Sequence, residues 1–290
     1  MAGDGMAEAP VLRPLRQADL AAAQGLSAAV SWPHRLEDWQ FLHALGQGVA
    51  AEAEGRLLGT AMGWRFGAAQ GALGLVIVAP EARGRGLGRA LTEAVLAGLE
   101  GRGVTLHATA DGFPLYASQG FVPLGEVVQH QGAAFSVGLV PLEKGERLRP
   151  LGRNDAALLA ALDEAATGLS RGPVLEALLA VAEGVVLERD GAPCGLSLLR
   201  RFGRGHVIGP VLAPDAAAAQ ALIAHWLGVR GGQFLRIDLP AEAGLSDWLQ
   251  GLGLVRVDGV RPMRRGAAPV PRPWRGQPVT RFALISQTLG

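Results

Sequence analysis

The strongest constraint on the fold is that the chain repeats itself. Leu12-Arg-Pro-Leu15 returns as Leu148-Arg-Pro-Leu151. Gly55 and Gly59 return as Gly191 and Gly195, and Arg65-Phe-Gly67 returns as Arg201-Phe-Gly203, all 136 residues on. With a small slip, Ala79-Pro80 aligns with Ala213-Pro214 and Gly120-Phe121 with Gly253-Leu254. Several unrelated matches at one offset indicate two tandem copies of one folding unit. A length of 290 residues accommodates two ordinary domains. The junction is expected near Glu143 to Glu146, giving modules 1–143 and 144–290.

The first copy carries one informative stretch. Leu75-Val76-Ile77-Val78 is a short apolar run ending at Ala79-Pro80, which predicts a buried strand. Arg83-Gly84-Arg85-Gly86-Leu87-Gly88 follows. Leu87, Leu91, Ala94, Val95 and Leu99 then recur at helical spacing. Strand, glycine-rich turn and helix in that order make an anion site. The first helical turn has unpaired N–H groups and the positive end of the dipole, and glycines let a phosphate reach the backbone. Arg83, Arg85 and Arg89 add positive charge. The dinucleotide fingerprint does not fit the glycine spacing. The nucleotide P-loop needs a Gly-Lys-Ser/Thr, and the only lysine is Lys144.

The arrangement Arg-x-x-Gly-x-Gly, here Arg83, Gly86 and Gly88, resembles the pyrophosphate loop of the GNAT superfamily of acyl-CoA-dependent N-acyltransferases. Leu115-Tyr116-x-x-x-Gly120-Phe121 resembles a second family segment, in which the tyrosine is commonly the general acid. Tyr116 is the only tyrosine of the chain. Trp32-Pro-His-Arg35 and Gln129-His-Gln-Gly132 resemble segments of a tandem subgroup whose second module is degenerate. The resemblance implies an α/β fold, a mixed sheet in two tandem modules. It implies acetyl-CoA as cosubstrate, and direct attack of an acceptor amine on the thioester in a ternary complex. Backbone groups of Val76, Ile77 and Val78 would pair with the pantetheine, and amides of Gly84 to Arg89, Leu87 included, would hold the diphosphate. Tyr116 would protonate the departing thiolate.

The general base does not follow from the resemblance. Many members carry a glutamate near the start of the fourth strand, where this chain reads Ala68-Ala-Gln-Gly-Ala-Leu-Gly74. His34 is the first candidate, since imidazole titrates near neutrality. The alternative is a histidine that only packs in its loop. Trp32, Arg35, Glu37 and His130 are candidates for acceptor contacts, with packing, helix-start stabilisation and solvation as their alternative roles.

Composition narrows the rest. Charges nearly cancel, at 27 basic and 26 acidic, which excludes affinity for nucleic acid built on a large basic field. One cysteine, Cys194, allows neither a disulfide framework nor a cysteine metal site, so no metal is expected. The first ten residues lack a basic region and an apolar core, and Val207 to Val229 is interrupted by prolines and polar residues. A cytoplasmic enzyme acting on a small-molecule or peptide amine, as monomer or homodimer, is the expectation. A non-catalytic acyl-CoA sensor or scaffold is the alternative.

In order, the pattern predicts a strand at Val11 to Leu15, helices at Gln17 to Ala29 and Glu37 to Leu45, and a hairpin of Gly48–Ala53 with Leu57–Trp64. Val104 to Ala110 follows the loop helix as a strand. Phe121–Val127 and Ala134–Val140 are expected to close the module as an antiparallel pair, with Gln129 to Gly132 in their turn. In the second copy, Pro214 is followed by Asp-Ala-Ala-Ala-Ala-Gln, without the phosphate motif, and Leu249 matches Tyr116. That module is expected not to bind CoA. Its tail, Arg261 to Pro278, is expected on the surface before a last strand at Arg281 to Ser286.

Overall fold

The computed structural model describes residues 9–290 except 136 and 139. The first copy comprises β1 (Val11–Pro14), α1 (Leu20–Ala29), α2 (Leu36–Leu45), β2 (Gln47–Ala53), β3 (Arg56–Phe66), β4 (Gln70–Val78), α3 (Leu87–Ala97), β5 (Gly103–Ala108), α4 (Phe113–Ala117), β6 (Val122–Pro123) and β7 (Val127–Gly132). The second comprises β8 (Glu146–Pro150), α5 (Ala156–Thr167), α6 (Gly172–Val181), β9 (Ala182–Arg189), β10 (Ala192–Phe202), β11 (Gly205–Ala213), α7 (Ala216–Val229), β12 (Leu235–Pro240), α8 (Ser246–Gly251), β13 (Leu254–Arg265) and β14 (Thr280–Ala283). The two copies run through the same order of elements, as the sequence repeat requires. The fold is mixed α/β.

By compactness the chain divides differently. One unit is Met1–Trp64 with Leu73–Glu100, the other Arg65–Ala72 with Gly101–Gly290. In the first unit β1, β2 and β3 are antiparallel neighbours. The β2–β3 turn is Glu54-Gly55, both left-handed at φ 52° and 72°, which matches the twist of a two-residue hairpin. Trp39 and Trp64 are the largest side chains of this core, 0% and 1% exposed. Their indole N–H groups donate to Ser27 Oγ (3.2 Å) and the Leu42 carbonyl (3.0 Å), so neither buries an unmet donor. A Cβ on Gly59 or Gly63 would meet Leu91 or Val95 of α3 at 3.0 and 2.7 Å, so glycine on β3 is what lets that helix lie close.

An ion cluster recurs at the repeat spacing. Arg13 bonds both Asp19 oxygens (2.6 and 2.8 Å) and Glu52 (2.6 Å). Arg149 bonds both Asp155 oxygens (2.7 and 2.9 Å) and Glu188 (2.7 Å). Each planar guanidinium thereby ties the first strand of its copy to the following turn and to the second strand.

The second unit orders its strands β5-β13-β7-β12-β11-β10-β9-β8. β13, from the second copy, lies between β5 and β7 of the first. β7, in turn, lies between β13 and β12 of the second. The registers match: His107 faces Pro262 and Leu106 faces Met263, while Leu239 faces Val128 and Asp238 faces Gln129. Around Val127↔Val260 the β7–β13 pairing reads the same in both directions. The copies have therefore exchanged strands about a local two-fold.

This corrects two expectations. Gln129 to Gly132 is not a turn but part of β7, and Ala134 to Val140 carries no strand among the described residues, with 136 and 139 outside them. Arg261 to Arg265 is not irregular tail but the C-terminal part of β13, paired with β5. Both errors share a cause. Polar residues in a strand flanked on both sides look like turn or surface when the partners that satisfy them lie more than a hundred residues away.

The last strand is also informative. β11 and β12 pair in parallel from His206↔Leu235 to Ile208↔Ile237. Beyond that point β14 pairs β11 at Val211 to Ala213, and the Leu284 N–H donates to the Asp238 carbonyl of β12 at 2.9 Å. The segment thus fills the gap between those strands. Gly209 lacks a Cβ where one would collide with the Leu284 carbonyl. Phe282 to Ile285 are buried there.

Candidate functional site

In the first unit β4 leads into the predicted anion loop. Leu75 and Ile77 are buried, and Val76 and Val78 half-buried. Leu75 has φ 50°, a left-handed value inside a strand, and its carbonyl accepts from Thr60 Oγ1 at 2.9 Å. A β-branch-rich strand holding such a residue stores about 1–3 kcal/mol of strain, a feature that clusters at ligand sites. β4 pairs β5 only at Gln70 to Ala72 and continues for six more residues.

Gly84 and Gly86 both have φ 76°, and a Cβ on either would meet nothing within 4 Å. Glycine here answers a backbone need, and the space over it is open. Gly86 caps α3 without any side-chain cap, and the first helical bond runs from the Ala90 N–H to the Gly86 carbonyl at 3.1 Å. The N–H groups of Leu87, Gly88 and Arg89 precede it and fall among the orphans of the first turn. Arg83, Arg85 and Arg89 are exposed around them. Arg83 Nε reaches the Val78 carbonyl at 3.4 Å, and Arg89 is 3.6 Å from Glu93. The loop fits a diphosphate in backbone, space and charge.

The Trp32 to Arg35 segment enters α2. The His34 ring lies 6.0 Å from that of Trp32 and 6.4 Å from that of Trp39. Arg35 gives its N–H to Asp38 (2.9 Å), and its guanidinium bonds the same carboxylate at 3.0 and 2.7 Å. Arg35 is thus oriented by Asp38 at the start of α2, while Glu37 is exposed in the first turn.

In the second unit Tyr116 lies in α4, 8% exposed, its ring edge-on to Phe121 at 6.1 Å. Burial raises its pKa, so the phenol is protonated at neutral pH. Its hydroxyl makes no hydrogen bond to another described residue. His130 is 0% exposed in β7, with Nδ1 2.9 Å from the Leu254 carbonyl and Nε2 2.8 Å from Ser246 Oγ. A ring whose nitrogens are both engaged inside the sheet cannot contact an acceptor, and that expectation is withdrawn.

The second copy closes the corresponding positions. α7 is capped by Asp215, whose carboxylate accepts from the Ala218 N–H at 2.8 Å. Leu249 stands buried in α8 where the first copy has Tyr116.

Comparison with known proteins decides the family. Models of the acetyltransferase (GNAT) domain match twice, at residues 32–137 and 159–277. An uncharacterized N-acetyltransferase of Bacillus subtilis, YitH, is 30% identical over 225 residues, covering 75% of this chain and 76% of the relative. The chain belongs to the GNAT acetyltransferase family. A candidate acetyltransferase of Pyrococcus horikoshii has the same fold over 100% of this chain and 99% of its own, with a TM-score of 0.76 at 18% identity. A tandem GNAT protein from the clavulanic acid biosynthesis pathway matches 90% of this chain and 100% of its own, with a TM-score of 0.62 at 14% identity. No helix among the described residues is long and apolar enough to cross a membrane.

Several features here escaped sequence reasoning. The left-handed Leu75 leaves no mark in the residue pattern, and Asp215 signals its role only as a helix N-cap residue. The ion pair of Arg171 with Asp163, both side chains 0% exposed, had no local signal at all.

Proposed function

We infer that the protein is an acetyl-CoA-dependent N-acetyltransferase, with module 1–143 catalytic and module 144–290 a degenerate partner. The observation that carries this is the contrast between the two helix starts. Gly86 leaves the α3 N–H groups open under space and beside arginines, while Asp215 fills the equivalent place with its own carboxylate. One acetyl-CoA per chain follows. Amides of Gly84 to Arg89 hold the diphosphate, and backbone groups of Val76 to Val78 hold the pantetheine and polarise the thioester.

Tyr116 is the general acid. A protonated, buried phenol with an unengaged hydroxyl suits donation to a departing thiolate. His34 is the proposed base for the acceptor amine, its ring seated among tryptophans close to the start of α2, and Trp32 and Glu37 are the proposed acceptor contacts. The acceptor is an amine, small molecule or peptide.

Calorimetric titration of acetyl-CoA into wild type and Gly86→Glu tests the reading. One site per chain, lost in the variant, is expected. Absence of binding to the wild type would overturn it. Turnover against a panel of amines, with Tyr116→Phe as control, separates an enzyme from a sensor.

A further inference from the structure

The second unit contains a cavity of about 630 Å³ that the acyl-transfer reading does not use. All its walls belong to that unit, whereas the anion loop belongs to the first. The walls are mainly apolar, with Leu124, Leu169, Phe282 and several prolines. Among them stand two guanidinium groups, Arg264 of β13 and Arg281 of β14.

Neither guanidinium makes an ion pair or a side-chain hydrogen bond among the described residues. By contrast, Arg13, Arg149 and Arg171 each hold carboxylates in two-pronged contacts. Arg281 is half-buried; burial, followed by the neighbouring Arg171, lowers its pKa to about 10 against the opposing charges of Asp163 and Glu242. It remains charged at neutral pH. His107, also in the lining, hydrogen-bonds the Gln287 backbone. Burial, followed by the charge of Arg281, pushes its pKa down to about 3, so it is neutral. Among the lining side chains the one carboxylate, Glu242, is exposed to solvent, and the Gly290 main chain also lines the cavity near Arg281. The lining side chains therefore carry two positive charges and one negative.

Both arginine side chains are half-buried and make no direct contact with a carboxylate among the described residues, and a half-buried cation gains from an anion seated directly beside it. Planar guanidinium groups suit carboxylates, which they bind with two parallel hydrogen bonds. The volume is that of a small-molecule pocket, and its apolar walls suit a hydrocarbon body. We propose that this cavity binds a small organic monocarboxylate, its carboxylate held by Arg281 and Arg264 and its apolar body against Leu169 and Phe282. The site is independent of the acyl-transfer reading.

The test titrates 4-phenylbutyrate, its neutral amide and phenyl phosphate into the full chain by calorimetry. The carboxylate is expected to bind at least tenfold more tightly than the amide and than phenyl phosphate. Arg281→Gln and, separately, Arg264→Gln are expected to weaken it at least tenfold, with near-ultraviolet circular dichroism confirming the fold. Ala166→Phe, which fills the cavity from its wall, is expected to abolish it. Gly86→Glu is expected to leave it unchanged while removing acetyl-CoA binding, so the two sites fail separately. Equal binding of acid and amide, preference for the phosphate, no binding of the acid, or unchanged binding in Arg264→Gln would each overturn the proposal.

Discussion

Gly86 and Asp215 begin equivalent helices in the two copies, and they do opposite things there. Gly86 leaves the first-turn N–H groups of α3 bare, whereas Asp215 turns its carboxylate onto the Ala218 N–H at 2.8 Å. Asp215→Gly is expected to cost only about a few tenths of a kcal/mol as a lost cap, read from the denaturant midpoint, without creating a second acetyl-CoA site. β14 would still fill the gap between β11 and β12.

Removing Thr280 to Gly290 tests that second barrier. The segment buries Phe282, Ala283, Leu284 and Ile285. Its loss is expected to lower the melting temperature by several degrees, at roughly 1.5–3 kcal/mol for each large apolar side chain exposed. Acetyl-CoA stoichiometry is expected to remain at one.

Tyr116→Phe is expected to lower kcat roughly 10²- to 10⁴-fold while leaving the Kd for acetyl-CoA near that of the wild type. Burial holds the Tyr116 pKa above its ordinary value of about 10. The wild-type rate is therefore expected to show no alkaline fall between pH 8 and 10 from loss of this proton. Steady-state rates over that range check both points.

His107 makes acid stability distinctive. Its pKa is about 3 when folded, with burial as the main cause, against about 6.5 unfolded. Between those values the unfolded chain binds the extra proton. Stability therefore falls as pH falls through that window, by up to about 1.4 kcal/mol per pH unit. Asp19, Asp155 and Glu188, held below their usual range by hydrogen bonds from arginines, contribute losses only at lower pH. His225, lowered by burial, acts in the same direction as His107. His107→Gln is expected to flatten the melting temperature between pH 6.5 and 5 relative to wild type.

Arg171 spans Asp163 through Nε and Nη2 at 2.7 and 2.8 Å and gives Nη1 to the Leu289 and Gly290 carbonyls. Arg171→Met alone is expected to destabilise by about 3–5 kcal/mol, because it strands a buried carboxylate. Adding Asp163→Leu is expected to recover much of that loss. Urea unfolding of the single and double variants measures the coupling.

What could be read from sequence was local or periodic. The 136-residue spacing fixed the two copies, the Gly55 turn fixed the hairpin, and Arg83 to Gly88 fixed the loop before α3. Each rests on residues adjacent in the chain or repeated along it. What could not be read was pairing at a distance. Nothing near His130 announces Leu254 and Ser246, and nothing near Met263 announces Leu106. Arg281 looked like the start of an ordinary last strand, because a guanidinium's place in a cavity wall is a property of its surroundings.

The exchange of β7 and β13 has a consequence for how such a protein drifts. Each copy lends the other a central strand, so the second copy is held under selection for its shape even after its own binding groove is closed. Its loop residues are released to change while its sheet is not. A gene split at the repeat boundary would yield two chains each missing a middle rung. The pair is inherited as one indivisible piece, with a single working groove and a structural twin that cannot be discarded.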